Sequence, residues 1–170
     1  MTLWKWSTDR LSRWRSLSPA ERAVFLRALL FLPAVTLALR LLGLRRTRSL
    51  LSSISNQPVL PAPGPRCRWT DRPGRSTISN FAPSTIVRLV QAAGRQVPGA
   101  TCLSASLLAW TLLRRQGVST ELRIGVRLLD GQFQAHSWLE RSGQPLLPAP
   151  PDELPFLLLD LPLISGARTP

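Results

Sequence analysis

Residues that bind metals or form crosslinks are scarce in this chain. Its 170 residues include one histidine, His136, and two cysteines, Cys67 and Cys102. A closed structural zinc site of Cys and His ligands cannot be built from that set. Two thiols in a chain of this size do not make a disulfide scaffold either. Acids are few as well, with nine Asp and Glu against 22 basic residues, for a formal net charge of +13 and a pI near 11.9. Lys5 is the only lysine, so arginine supplies 21 of those positive charges. No internal repeat is present, and no apolar run is long enough to cross a bilayer uninterrupted. The stretch from Ala23 to Leu44 is broken by Arg27 and Arg40, leaving Ala28–Leu39 free of charge, short of the ~20 residues a spanning helix needs. It starts too late for an ordinary signal peptide, and no small-residue cleavage site follows it. What remains is 44% hydrophobic, enough to bury a core and to exclude wholesale disorder, at the length of one domain.

The positive charge favours an acidic partner, whether nucleic acid, anionic lipid or an acidic peptide. It is concentrated in residues 1–55, which hold ten basic groups and two acids, Asp9 and Glu21. The same surplus also fits a solvated basic face with no partner. Ser18-Pro19-Ala20-Glu21 starts a helix in this region: Ser18 caps, Pro19 takes the first helical position and Glu21 closes a capping box. The run that follows reads as a buried or interfacial helix, kinked or broken near Pro33 and ending at Gly43, with a single-pass anchor as the lesser alternative. Residues 56–83 carry six prolines (58, 61, 63, 65, 73 and 83) with Gly64 and Gly74, which forbids long regular structure. The expected organisation is therefore a basic helical region over 1–55, a Pro-rich connecting loop over 56–83 and a core over 84–170. Cys67 falls in the loop, with no partner at metal-ligand spacing.

Pro83-Ser84 opens a short helix through about Ala93, ended by Gly94 and Pro98-Gly99. Thr101 then caps a helix beginning at Cys102. In that helix Leu103, Leu107 and Trp110, with Leu108 and Leu112, form two neighbouring apolar rows, Arg114-Arg115 suit its last turn, and Gly117 stops it. From Thr120 the period becomes two. Leu122, Ile124, Val126 and Leu128 alternate with Arg123, Gly125 and Arg127, and Asp130-Gly131 fits a two-residue type I′ turn. The return strand Gln132–Glu140 carries His136. Ser142-Gly143 turns the chain again into Gln144–Leu147. Pro148, Pro150 and Pro151 then end the sheet, leaving Asp152–Leu161 as a short apolar tail element.

Cys102 at a helix start and His136 on a strand form the one constellation with chemical potential. Unpaired N–H groups and the helix dipole stabilise a thiolate, and an imidazole nearby does the same before protonating a leaving amine. A two-residue turn puts Gly125 opposite His136, where a missing side chain leaves room for the thiol or a substrate. The bland alternative is a small core cysteine and a locally satisfied histidine.

At these residues the sequence resembles the leader peptidases, or B components, of lasso peptide biosynthesis, which are transglutaminase-like cysteine proteases. The matching pieces are Cys102-Leu103-x-x-Ser106-Leu107, Leu112-Leu113-Arg114-Arg115-x-Gly117, Ile124-Gly125-Val126 and Ala135-His136-Ser137-Trp138-Leu139-Glu140, followed by Gly143. Leu17-Ser18-x-x-Glu21-Arg22 and Leu41-Leu42-Gly43-Leu44-Arg45-Arg46 resemble the standalone members. The resemblance implies an α+β fold, with a papain/transglutaminase-like core in which a Cys-bearing helix packs on a small antiparallel sheet, preceded by N-terminal helices. It implies hydrolysis of a ribosomal precursor between leader and core, with Cys102 as nucleophile and His136 as general base and acid. The family's third member is an Asp about a dozen residues after the His. Here that stretch reads Leu146-Leu147-Pro148, so Asp152 is the nearest downstream candidate. Glu140 lies two strand pairs from the histidine, and a dyad oriented by a backbone carbonyl or Gln144 is the other option. The implied partners are the precursor peptide, a separate leader-recognition protein and an ATP-dependent cyclase. The expected setting is the cytoplasm, with the basic, apolar N-terminal helices as a docking surface for the recognition protein or the cyclase, and peripheral membrane contact as a further option. No cofactor, metal or nucleic acid is expected. Two competing readings remain: a basic membrane-surface or RNA-binding protein, and a non-catalytic scaffold of the maturation complex.

Overall fold

The computed structural model describes residues 16–54, 81–147 and 156–159. Among these described residues, three helices and a four-stranded sheet make an α+β arrangement. The elements are α1 (Pro19–Ile54), α2 (Pro83–Gly94), α3 (Cys102–Arg115), β1 (Glu121–Leu129), β2 (Gln132–Arg141), β3 (Gln144–Pro145) and β4 (Leu157–Leu158). Cys67 lies outside the described residues.

The capping box at the start of α1 forms as expected: Glu21 N–H donates to Ser18 Oγ at 3.2 Å, and Ser18 N–H donates to Glu21 Oε2 at 2.8 Å. The expected break near Pro33 does not occur. Pro33 removes one donor from the ladder, but Ala28 and Leu32 before it and Val35 after it are buried together in one core. Packing on both sides of the proline outweighs the missing hydrogen bond. The first helical stretch does end at Gly43, as expected: with φ 72° and ψ 173° that residue is not helical, and a second helical stretch runs on from it across a kink to Ile54. Such a φ suits a residue without a Cβ, and Thr47 Oγ1 donates to the Gly43 carbonyl at 2.8 Å.

Helix α2 lays Ile86, Val87, Leu89, Val90 and Ala93 inward. Helix α3 is buried on nearly every side, including Leu107, Leu108, Trp110 and Leu113. Together with α1, and with Leu122 and Leu139 from the sheet, they form one core cluster.

The sheet order is β3-β2-β1-β4. Asp130 and Gly131 both take positive φ, as a type I′ turn requires, so Leu129 faces Gln132 and Gly125 faces His136. Ser142 and Gly143 repeat the device, pairing Arg141 with Gln144. The prolines after 147 do not end the sheet. The tail returns as β4 along the open edge of β1, with Gly125 opposite Leu158 and Val126 opposite Leu157. That edge of β1 offers unpaired backbone groups, and an apolar strand satisfies them.

Candidate active site

Helix α3 begins where its cap dictates. Thr101 Oγ1 accepts from Ser104 N–H at 3.3 Å, and Ser104 Oγ accepts from Thr101 N–H at 2.9 Å. The reciprocal pair fixes Cys102 as the first helical residue. Ala105 N–H bonds the Thr101 carbonyl at 3.1 Å, beginning the regular ladder. The N–H groups of Cys102 and Leu103 belong to the opening turn, whose donors have no acceptor within the helix.

The structure brings Cys102 and His136 close enough to interact: hydrogen bonding with the imidazole is the first cause that lowers the thiol from 9.0 to about 7, against the upward push of burial. The Ser137 hydroxyl, the Ser137 N–H and the charge of His136 add to the lowering. Ser137 is buried and packs on α3, where Ser106 Oγ donates to its carbonyl at 3.0 Å. Nothing in the sequence reading assigned it to the site. The signal was present, since Ser137 is a hydroxyl between Ala135 and Leu139 on the apolar face of β2.

The imidazole is held from its other side by aromatic rings. Trp138 lies nearly parallel to it, with centroids 6.1 Å apart and 15° between planes, and Phe156 approaches to 5.5 Å. The Arg127 guanidinium lies over Phe156 at 4.5 Å. Phe156 also corrects the expected role of Gly125. The absent side chain leaves no vacancy for thiol or substrate: a Cβ there would meet the Phe156 Cβ at 2.7 Å and the Trp138 ring at 3.0 and 3.1 Å. Glycine at this position lets the two rings close over the strand beside His136.

Among the candidates for the third member, Asp152 lies outside the described residues. Gln144 pairs with Arg141, five residues along β2 from His136, or ~16 Å at strand rise, beyond its side chain's reach. Glu140 bears on the imidazole indirectly. Its carboxylate accepts from Trp138 Nε1 at 2.8 Å and from Arg123 Nε at 3.1 Å, so it anchors the indole that stacks on His136. Glu140→Ala should therefore lower turnover about tenfold, the rate equivalent of one hydrogen bond worth ~1.4 kcal/mol. Glu140→Gln, which keeps an acceptor for the indole N–H, should retain most of it. Comparing the kcat of the two variants checks this. No group of three or more His, Cys, Asp or Glu is placed to hold a metal ion among the described residues.

A thiol lowered to neutrality at a helix amino terminus, close to an imidazole on an adjacent strand, is an arrangement for acyl transfer through sulfur. The family model described as the transglutaminase-like superfamily matches residues 29–156. No curated protein and no solved structure matches the chain. By that match, which covers more than half its length, the chain belongs to the transglutaminase-like superfamily.

Proposed function

From this membership and geometry, we propose that the chain is a cysteine endopeptidase that removes the leader from a ribosomally made lasso peptide precursor. The observation that carries the reading is the closeness of His136 to the Cys102 sulfur at the head of α3, where the imidazole is the main influence lowering the thiol. The motifs around both residues, Cys102-Leu103-x-x-Ser106-Leu107 and Ala135-His136-Ser137-Trp138-Leu139-Glu140, support the choice of substrate through their resemblance to leader peptidases.

In this mechanism the Cys102 thiolate attacks the carbonyl carbon of the bond between leader and core. The oxyanion that forms is met by the first-turn N–H groups of α3. The imidazolium of His136 gives its proton to the leaving nitrogen, which departs as the free amine of the core peptide and leaves the leader as a thioester on Cys102. His136, now neutral, takes a proton from water. The hydroxide adds to the thioester, and the leader leaves with a carboxylate as the thiolate is restored. The amine released is the group a separate ATP-dependent cyclase needs to close a macrolactam. A separate leader-recognition protein would present the precursor, in the cytoplasm. Asp152, four residues before the Phe156 that packs on the imidazole, is assigned as the acid that orients His136.

The test is incubation with precursor and recognition protein, followed by mass spectrometry for the free leader and core. Release by the wild-type chain and none by Cys102→Ala is expected, with slower release by Asp152→Asn. Release that survives Cys102→Ala would defeat the enzyme reading. Tight RNA binding with no cleavage under any condition would favour a binding protein instead.

A further inference from the structure

Helix α1 has two apolar faces, and the core uses one of them. Val24, Ala28, Leu32 and Val35 are buried. On the opposite side Leu26, Leu30, Leu37 and Leu41 recur at helical spacing, and Leu30 and Leu41 are 72% and 73% exposed. Phe31 and Leu42 are exposed as well, but at the margin of the buried face rather than on this ridge. A continuous apolar ridge of this kind marks a contact surface. Arg27, Arg40, Arg45 and Arg46 are exposed along the same helix, and after Glu21 it contains no acid.

We infer that this ridge seats the protein on an anionic lipid surface, with α1 lying in the plane of the interface. The aliphatic stripe includes no hydrogen-bonding side chain, and the charges along the helix are of one sign. Protein interfaces carry a mixed polar rim and favour aromatics. Acyl chains under a layer of anionic headgroups match both features of this helix, with arginines reaching up to phosphate as leucines enter the hydrocarbon boundary. The helix is long and apolar enough to cross a membrane by length and composition alone. Two observations place it along the surface instead. Its charge-free window, Ala28–Leu39, rises only ~18 Å against a hydrocarbon thickness of ~30 Å. Its other face is committed to the core with α2 and α3, and spanning would strip that packing away.

The experiment is flotation of the full-length chain with vesicles of phosphatidylcholine alone and of phosphatidylcholine with phosphatidylglycerol. The wild type should float with the anionic vesicles and weakly, if at all, with the neutral ones. Leu30→Gln with Leu37→Gln leaves the net charge unchanged and alters only exposed positions, so the fold should persist. It should weaken binding at least ~10-fold, while the pH dependence of Cys102 alkylation stays as in the wild type. Equal flotation of the double variant would show adsorption by charge alone and overturn the inference. So would failure of the wild type to float, or a wild-type dimer that the double variant converts to monomer, which would make a second copy the occupant.

Discussion

Replacing His136 with Ala is expected to raise the Cys102 thiol from about 7 toward its ordinary 9.0, and to stop peptide hydrolysis. The direction follows from the causes. Hydrogen bonding with His136 is the largest lowering influence, while burial alone pushes the thiol up. With His136 present, about half the sulfur is thiolate at pH 7; at 9.0, about one part in a hundred is. Alkylation of Cys102 by iodoacetamide at pH 7 should therefore slow, by up to about 50-fold for a full return to 9.0, and the difference should shrink as pH rises above 9. Peptide mass analysis scores Cys102 separately from Cys67. Hydrolysis should suffer more than alkylation, because the leaving amine also loses its proton donor, worth ~10²–10⁴ in rate. In the wild type, activity should rise with pH through about 7 as the thiolate forms. An alkylation midpoint unmoved by His136→Ala would remove the basis of the catalytic assignment.

The pairing of Cys102 with His136 was legible in the sequence because its determinants are local. A Thr–Ser capping box sets where α3 begins, and a two-residue turn at Asp130-Gly131 sets the register that puts Gly125 opposite His136. Both are read within a few residues of the groups they position. The continuity of α1 through Pro33 was not legible in this way. Pro33 is a strong local signal against helix, but the burial of Ala28, Leu32 and Val35 against α2 and α3 is a long-range effect that a local reading does not see. The aromatic enclosure of the imidazole escaped for the same reason. Phe156 reaches His136 from 20 residues downstream, across a proline-rich stretch that reads as the end of the sheet. Ser137 and Glu140 were visible as residues. Their parts in the site depend on which face of β2 meets α3 and which carries His136 and Trp138 beside Phe156.

The enclosure makes Gly125 the position where the smallest change should do the most damage. Gly125→Ala adds one carbon at 2.7 Å from the Phe156 Cβ and 3.0 Å from the Trp138 ring. The first neighbour sits next to backbone and cannot swing away, so either β4 lifts from β1, breaking the pairing of Gly125 with Leu158, or the indole turns out of its place. Both rings are packed against the imidazole, at 5.5 and 6.1 Å, and either response moves His136 relative to the sulfur. Overpacking of this kind costs roughly 1–3 kcal/mol of stability, measurable as a lower denaturant midpoint. The loss of turnover should be larger, about 100-fold, because a displacement near 1 Å in the attacking pair is enough for that. Pairing Gly125→Ala with Phe156→Gly removes the closest contact and should recover the stability in part. Turnover should recover less, since the imidazole then lacks one of its two packing rings. A Gly125→Ala protein with wild-type stability and turnover would show that the rings do not hold the imidazole in place.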